Sequence, residues 1–246
     1  MNVTPIGVWG AYPKRGEATS AFLLEEKGFR CLFDCGSGVL SALQLKISLH
    51  ELDAVVVSHY HPDHVADIGC LQHALFIDSH LGKRTATLPI YAHPYDKEQF
   101  SRLDYQKVSK GFPLEAEQSL TVGPWIVKTT NTVHPVDCLA VRFDSEKYSI
   151  TFTADTAWSE DVVRLAQGSD TLVSEASTYD HMIEKIPGHL SGKQAGELAE
   201  AAGVNQLVLT HLPQYGDVAD LKKEAALAFR GQVRLARAFS EITIEG

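Results

Sequence analysis

Four potential metal ligands fall within six residues of Ser58-His59-Tyr60-His61-Pro62-Asp63-His64, directly after the apolar run Ala54-Val55-Val56-Val57. A short continuous apolar run is what a strand buried on both faces shows. On an extended segment residues two apart face the same side, so His59 and His61 point to one place. The chain must turn at Pro62, which sets Asp63 and His64 at the start of a helix, aimed at a second point nearby. One loop therefore offers ligands to two adjacent ions. With 11 histidines in the whole chain, this density is poorly explained as surface histidines in a polar loop.

A two-ion site needs more ligands than one loop holds, and three more sit where strands end. His134 follows Thr129-Thr130-Asn131-Thr132-Val133, Asp155 follows Ile150-Thr151-Phe152-Thr153-Ala154, and His211 follows Leu207-Val208-Leu209-Thr210. The carboxyl ends of strands are where open α/β sheets build their sites. Taken singly, each of these residues is as readily a structural polar group. Beside the 59–64 loop, they read as one set.

The remaining pattern alternates strands and helices. Phe22-Leu23-Leu24 and Cys31-Leu32-Phe33 read as paired strands with Glu26-Lys27-Gly28 turning between them. Val65 to Ile77 has helical spacing. Further strands are expected at Ile126-Val127, Ala140 to Phe143, Ser149 to Phe152, Thr171 to Val173 and Leu207 to Leu209. Ser159 opens one helix that Gly168 closes, and Ser191 and Gln194 form a capping box before a helix that Gly203 ends. Interleaving of this kind favours one layered α/β domain over 1–246 rather than two domains. There is no linker, low-complexity tract or convincing sequence repeat. The stretch from Arg84 to Gln118 resists assignment, and its Tyr91, His93, Tyr95, Phe100, Tyr105 and Phe112 either line a pocket or pack, packing being the expectation for most.

Composition removes several function classes. The net charge of −9 argues against a protein that grips long polyanions, since that affinity comes from Lys and Arg on phosphates. Small anions are still admitted, because metal ions reverse the field of a cleft locally. No apolar run approaches the roughly 20 residues of a membrane helix. Met1-Asn2-Val3-Thr4-Pro5 lacks the features of a secretory signal, so a cytoplasmic location is expected. Cys31, Cys35, Cys70 and Cys138 form no redox or zinc-ribbon spacing and read as reduced thiols.

In these features the chain resembles the metallo-β-lactamase superfamily, whose pattern is HxHxDH, then a later His, a later Asp and a final His. His59, His61, Asp63, His64, His134, Asp155 and His211 match it, and Asp34-Cys35-Gly36 looks like the family's early strand end. The resemblance implies a four-layer αβ/βα sandwich. It implies one ion on His59, His61 and His134, a second on Asp63, His64 and His211, and Asp155 bridging both. Within the superfamily the chain is similar to the ribonuclease Z and phosphodiesterase branch, through Ser174-Glu175-Ala176-Ser177 and Gly188-His189-Leu190-Ser191. Ribonuclease Z carries a tRNA-gripping arm between the positions of His134 and Asp155. Here those positions leave room for two strands and a turn, which speaks against tRNA processing.

The ligands are all nitrogen or oxygen, which suits Zn²⁺ and also Mn²⁺, Fe²⁺ or Co²⁺. The resemblance implies a hydrolase in which hydroxide bridging the ions is the nucleophile and Asp63 orients it or takes its proton. His189 is expected to bind a phosphate oxygen or protonate the leaving alkoxide, with Glu175 and Asp34 as hydrogen-bonding supports of histidines. The leading expectation is a phosphodiesterase for a small nucleotide, cyclic nucleotide or short oligonucleotide. A lactone or thioester hydrolase is the alternative enzyme, and a non-catalytic metal-binding regulator the alternative from another class. Dimers are common among such relatives, so a homodimer is a partner to test for.

Overall fold

Lys27 and Gly28 both lie in the left-handed region, at φ 51° and 82°, and Glu26 pairs directly with Phe29 across them. This is the two-residue turn whose twist suits a hairpin. It joins the first strands of a computed structural model that describes residues 1–244. The first sheet runs in sequence order: β1 (Asn2–Gly7), β2 (Ala21–Glu26), β3 (Phe29–Phe33), β4 (Ala54–Val56), β5 (Leu88–Ala92) and β6 (Ser109–Pro113). Strands β1 to β3 are antiparallel, and from β3 onward the pairing is parallel.

The second sheet repeats this plan. It holds β7 (Ser119–Val122), β8 (Trp125–Asn131), β9 (Leu139–Asp144), β10 (Ser149–Phe152), β11 (Thr171–Glu175), β12 (Gln206–Thr210) and β13 (Gln232–Leu235). Pairing is antiparallel through β10 and parallel beyond it. The two halves thus share a topology that no sequence repeat foretells. Strands β9 and β10 alone occupy the span between His134 and Asp155.

The helices are α1 (Val39–Leu43), α2 (Pro62–Val65), α3 (Ile68–His80), α4 (Lys97–Ser101), α5 (Glu160–Ala166), α6 (Gly192–Ala202) and α7 (Val218–Ala228). The helix expected over Val65 to Ile77 is instead α2, a break at Ala66-Asp67, and α3 running on to His80. Asp67 causes the break: its N–H donates to the Cys35 carbonyl (3.1 Å) and its carboxylate accepts the Leu40 N–H (2.9 Å). Those bonds tie the strand end after β3 to the loop after β4. The capping box of α6 forms as expected, and Gly203 ends it at φ 62°.

Strand alternation divides the core. Phe22, Leu24, Phe33 and Val56 join Val127, Phe143 and Phe152 between the sheets. Leu23, Leu32, Val55 and Val57 face the other way, onto Leu43 of α1 and Leu71 and Leu75 of α3. Phe33 stacks on Phe152 at 4.4 Å and Phe143 meets it edge-on, an aromatic hinge that registers one sheet on the other. Helices α5 and α6 cover the far face of the second sheet, completing an αβ/βα sandwich. Helix α7 packs so tightly on α6 that a Cβ at Gly192 would lie 2.5 Å from the Leu221 carbonyl. No described helix is long and apolar enough to cross a membrane.

Candidate metal centre

All seven candidate ligands converge at the carboxyl ends of strands from both sheets. In one cluster, His59 Nε2 lies 3.1 Å from His61 Nδ1, which lies 3.2 Å from His134 Nε2. Asp155 Oδ2 is 3.7 Å from His59 and 3.9 Å from His134. In the other, Asp63 Oδ2 is 3.0 Å from His211 Nε2, and His64 Nε2 is 3.2 Å from the same nitrogen. Asp155 Oδ1 faces this second set, at 3.4 Å from His64 and 3.3 Å from His211. Ligands about 2.0–2.2 Å from a common ion are separated by roughly this much.

These side chains fit metal ions on two grounds. Asp155 Oδ1 is buried without a hydrogen-bond partner among the described residues, and such a carboxylate oxygen is costly unless something cationic meets it. Three imidazole nitrogens in one cluster, and two beside the Asp63 carboxylate in the other, also aim at one another, a poor arrangement for hydrogen bonding and a good one for a shared ion. The His/Asp clusters are thus able to hold metal ions.

Each cluster is held from behind. Asp34 is fully buried and accepts from His64 Nδ1 (2.7 Å), the Ser58 N–H (2.8 Å) and the Ser58 hydroxyl (3.1 Å). His134 Nδ1 donates to the Gly188 carbonyl at 3.1 Å. His211 Nδ1 donates to the Ser177 hydroxyl (2.7 Å), which donates in turn to Glu175 (2.5 Å). Such bonds fix the ring orientation and tautomer of ligand histidines. Glu175 also receives His189 Nδ1 on both oxygens, at 3.0 and 3.1 Å, and the Thr156 N–H at 2.7 Å. Glu175 therefore supports His189 directly and His211 through one hydroxyl.

Electrostatics divide the histidines. Burial, reinforced by the neighbouring His64, holds His59 well below the ordinary imidazole range. Burial also opposes charge on His64, but Asp155 and Asp34 outweigh it and hold that ring well above the range. For His189, burial is likewise overcome, by the Glu175 carboxylate first, and its pKa is pushed up to about 9.

The backbone is bent to reach this arrangement. Asp34, Ala154 and His211 are non-glycine residues at φ 58°, 50° and 51°, each costing about 1–3 kcal/mol that the surrounding contacts must offset. Gly36 has to be glycine, because a Cβ there would lie 1.9 Å from the Asp63 carbonyl. Three contributors have roles that the sequence alone does not assign. Ser58 and Ser177 are ordinary serines, and Ala11 acts through its backbone N–H, which donates to Asp63 Oδ2 at 2.7 Å.

Beside the first cluster opens a cleft of about 750 Å³, walled by His61 and His134 on the metal side and by Tyr60, His93 and Tyr95 on the other. Two of the aromatics from the unassigned 84–118 stretch thus line a pocket. Others there pack as expected, Phe100 and Tyr105 against the core outside the first sheet and Tyr91 on Phe112.

With this geometry in hand, comparison with known proteins defines the class. A family model described as a β-lactamase superfamily domain matches residues 29–212. The chain belongs to that superfamily, as a metallo-hydrolase of the β-lactamase fold with ribonuclease Z among its relatives. Among particular proteins, it is 42% identical to the probable metallo-hydrolase YhfI of Bacillus subtilis, over 96% of this chain and 97% of that one. The crystal structure of the metallo-β-lactamase fold protein YhfI superposes with a TM-score of 0.96, covering 98% of both chains at 40% identity. A ribonuclease Z of Halorubrum lacusprofundi is 26% identical over 96% of this chain and 94% of its own. The short form of human tRNase Z, at 22% identity and TM-score 0.78 over the full length of both chains, shares the fold.

Proposed function

We propose that this chain is a two-metal phosphodiesterase acting on a small nucleotide, cyclic nucleotide or short oligonucleotide. The observation that carries the reading is His189, whose Nδ1 is locked on Glu175 while its ring lies 5.2 Å from that of His134 and 5.7 Å from that of His211. One imidazolium thus stands beside both ligand clusters.

His59, His61 and His134 would hold one ion and Asp63, His64 and His211 the other, with Asp155 between them; Zn²⁺, Mn²⁺ and Fe²⁺ all suit this donor set. When bound, such a pair brings the pKa of water towards roughly 7 and neutralises charge developing on phosphorus. Asp63 is held below the usual carboxylate range: burial opposes this, but the His211 bond and the nearby His64 prevail. It is therefore an acceptor, able to orient the attacking water, and the Ala11 N–H fixes its Oδ2. His189 carries the proton that the leaving alkoxide needs, a contribution of about 10²–10⁴ in rate. The short β9–β10 hairpin between His134 and Asp155 and the charge of −9 both favour a small substrate over tRNA.

The test is initial-rate hydrolysis of bis(p-nitrophenyl) phosphate by metal-analysed protein. Wild type is expected to be active and Asp63→Ala inactive, while on a dinucleoside monophosphate, whose leaving group is an alkoxide, His189→Ala is expected to be slowed by about 10²-fold or more at retained metal content. A wild type that carries two ions yet leaves the diester intact overturns the reading and directs attention to lactones and thioesters.

A further inference from the structure

The cleft beside His61 and His134 has a composition that separates one kind of phosphodiester from the others. Its back wall is a row of rings: Tyr60 meets His93 at 4.6 Å, and His93 stacks on Tyr95 at 5.3 Å. Tyr95 is 45% exposed and lines the cleft. His93 is the reverse, only 2% exposed and packed against the rings of Tyr60 and Tyr95. The Tyr60 hydroxyl, bonded to the His93 carbonyl at 2.8 Å, fixes the position of that ring.

Charge supplies the second half of the argument. Asp96 and Asp137 line the cleft, and among the described residues no lysine or arginine does so. A substrate extending from the metal centre with further phosphates would bring them against these carboxylates. A planar, uncharged group with N–H donors would meet acceptors at Asp96 and Asp137 and a stacking ring at Tyr95. A nucleobase has this combination, and aromatic side chains stack bases with little regard to sequence.

We propose that this cleft is a subsite for the nucleobase of a substrate whose only negative charge is its scissile phosphodiester, with Tyr95 stacking the base, Asp137 bonding its edge, His93 backing the Tyr95 ring, and the two carboxylates excluding a second phosphate. The proposal rests on the phosphodiesterase reading and narrows it, setting mononucleotide diesters above oligonucleotides.

Three esters with one leaving group test it: methyl p-nitrophenyl phosphate, thymidine 5′-p-nitrophenyl phosphate, and the same thymidine ester carrying a 3′-phosphate. The thymidine ester is expected to exceed the methyl ester in kcat/KM by about tenfold or more, chiefly through KM. The added 3′-phosphate is expected to remove about tenfold. Tyr95→Ala should bring the thymidine-to-methyl ratio towards one, whereas Tyr95→Phe, which keeps the ring, should preserve it. Asp137→Lys should restore the 3′-phosphorylated ester. Saturation-transfer NMR with thymidine, which carries no phosphate, is an independent readout: transfer is expected with wild type and lost with Tyr95→Ala. Equal kcat/KM for the methyl and thymidine esters, or ratios unmoved by Tyr95→Ala and Asp137→Lys, overturns the subsite while hydrolysis of the methyl ester leaves the phosphodiesterase reading intact. If metal-loaded protein hydrolyses none of the three, the phosphodiesterase reading falls and the subsite with it.

Discussion

The first sheet places four candidate ligands on one loop after β4, whereas the second places three on separate loops after β8, β10 and β12. The two halves share a topology, and each changes from antiparallel to parallel pairing at one strand, β3 in the first and β10 in the second. An aspartate follows each of those strands. Asp34 lies behind the site and orients His64, while Asp155 lies inside it and faces both clusters. Equivalent places in one topology thus carry a supporting carboxylate in one half and a shared one in the other. Crowding ligands on one loop makes their mutual geometry local, and spreading them makes it depend on strand packing across the second sheet.

That contrast can be broken by experiment, beginning with the largest effect. Asp155→Ala is expected to abolish hydrolysis, by about 10³-fold or more, and to empty both clusters when metal is counted by mass spectrometry. Retention of two ions would mean that Asp155 is not shared. Asp34→Asn should weaken metal binding about 10–100-fold in chelator competition, as loss of a partner behind a ligand histidine does. Ser177→Ala, which removes a neutral hydroxyl behind His211, should cost less, about 2–10-fold. If the serine matters more than the aspartate, the two halves are not supported as described.

Smaller effects concern stability. Gly196→Ala should destabilise by about 1–3 kcal/mol in urea unfolding, because its Cβ would meet the Ala225 carbonyl at 2.4 Å. Gly69→Ala on α3, in the first half, should instead stabilise by about 0.5–1 kcal/mol, since nothing lies within 4 Å of the added carbon. A loss at Gly69 equal to that at Gly196 would show that helix packing does not differ between the halves.

The same contrast decides which parts of the molecule are legible in the amino-acid sequence. The 59–64 loop is legible because its groups are adjacent, so spacing alone carries their geometry. His134, Asp155 and His211 are legible only as strand-end residues that gain meaning from the loop. Asp34 and Glu175 enter through the family resemblance, and their bonds to His64 and His189 exist only in three dimensions. Ser177 and Ser58 lie inside those motifs, but their bonds, like that of the Ala11 N–H, carry no signal, because serines and backbone donors occur everywhere. Among the elements, β2, β3, β10 and α6 are plain from apolar runs and caps. Strand β1 contains Pro5, tolerated because this strand is at the sheet edge. Strand β6, Ser-Lys-Gly-Phe-Pro, is another edge with mostly exposed side chains, so no alternation marks it. The break at Asp67 is hidden because its cause, the strand end at Cys35, is distant in sequence.

The distribution of ligands also has a consequence during synthesis. His64 and His211, which meet at 3.2 Å in the folded chain, are 147 residues apart. At about 5–20 residues per second, the His59–His64 loop leaves the ribosome roughly 7–30 s before its last partner is made. For that interval the nascent chain presents three histidines and an aspartate with no second half to discriminate among ions. Selection among ions therefore rests with the finished sandwich, in which His134, Asp155 and His211 complete the clusters.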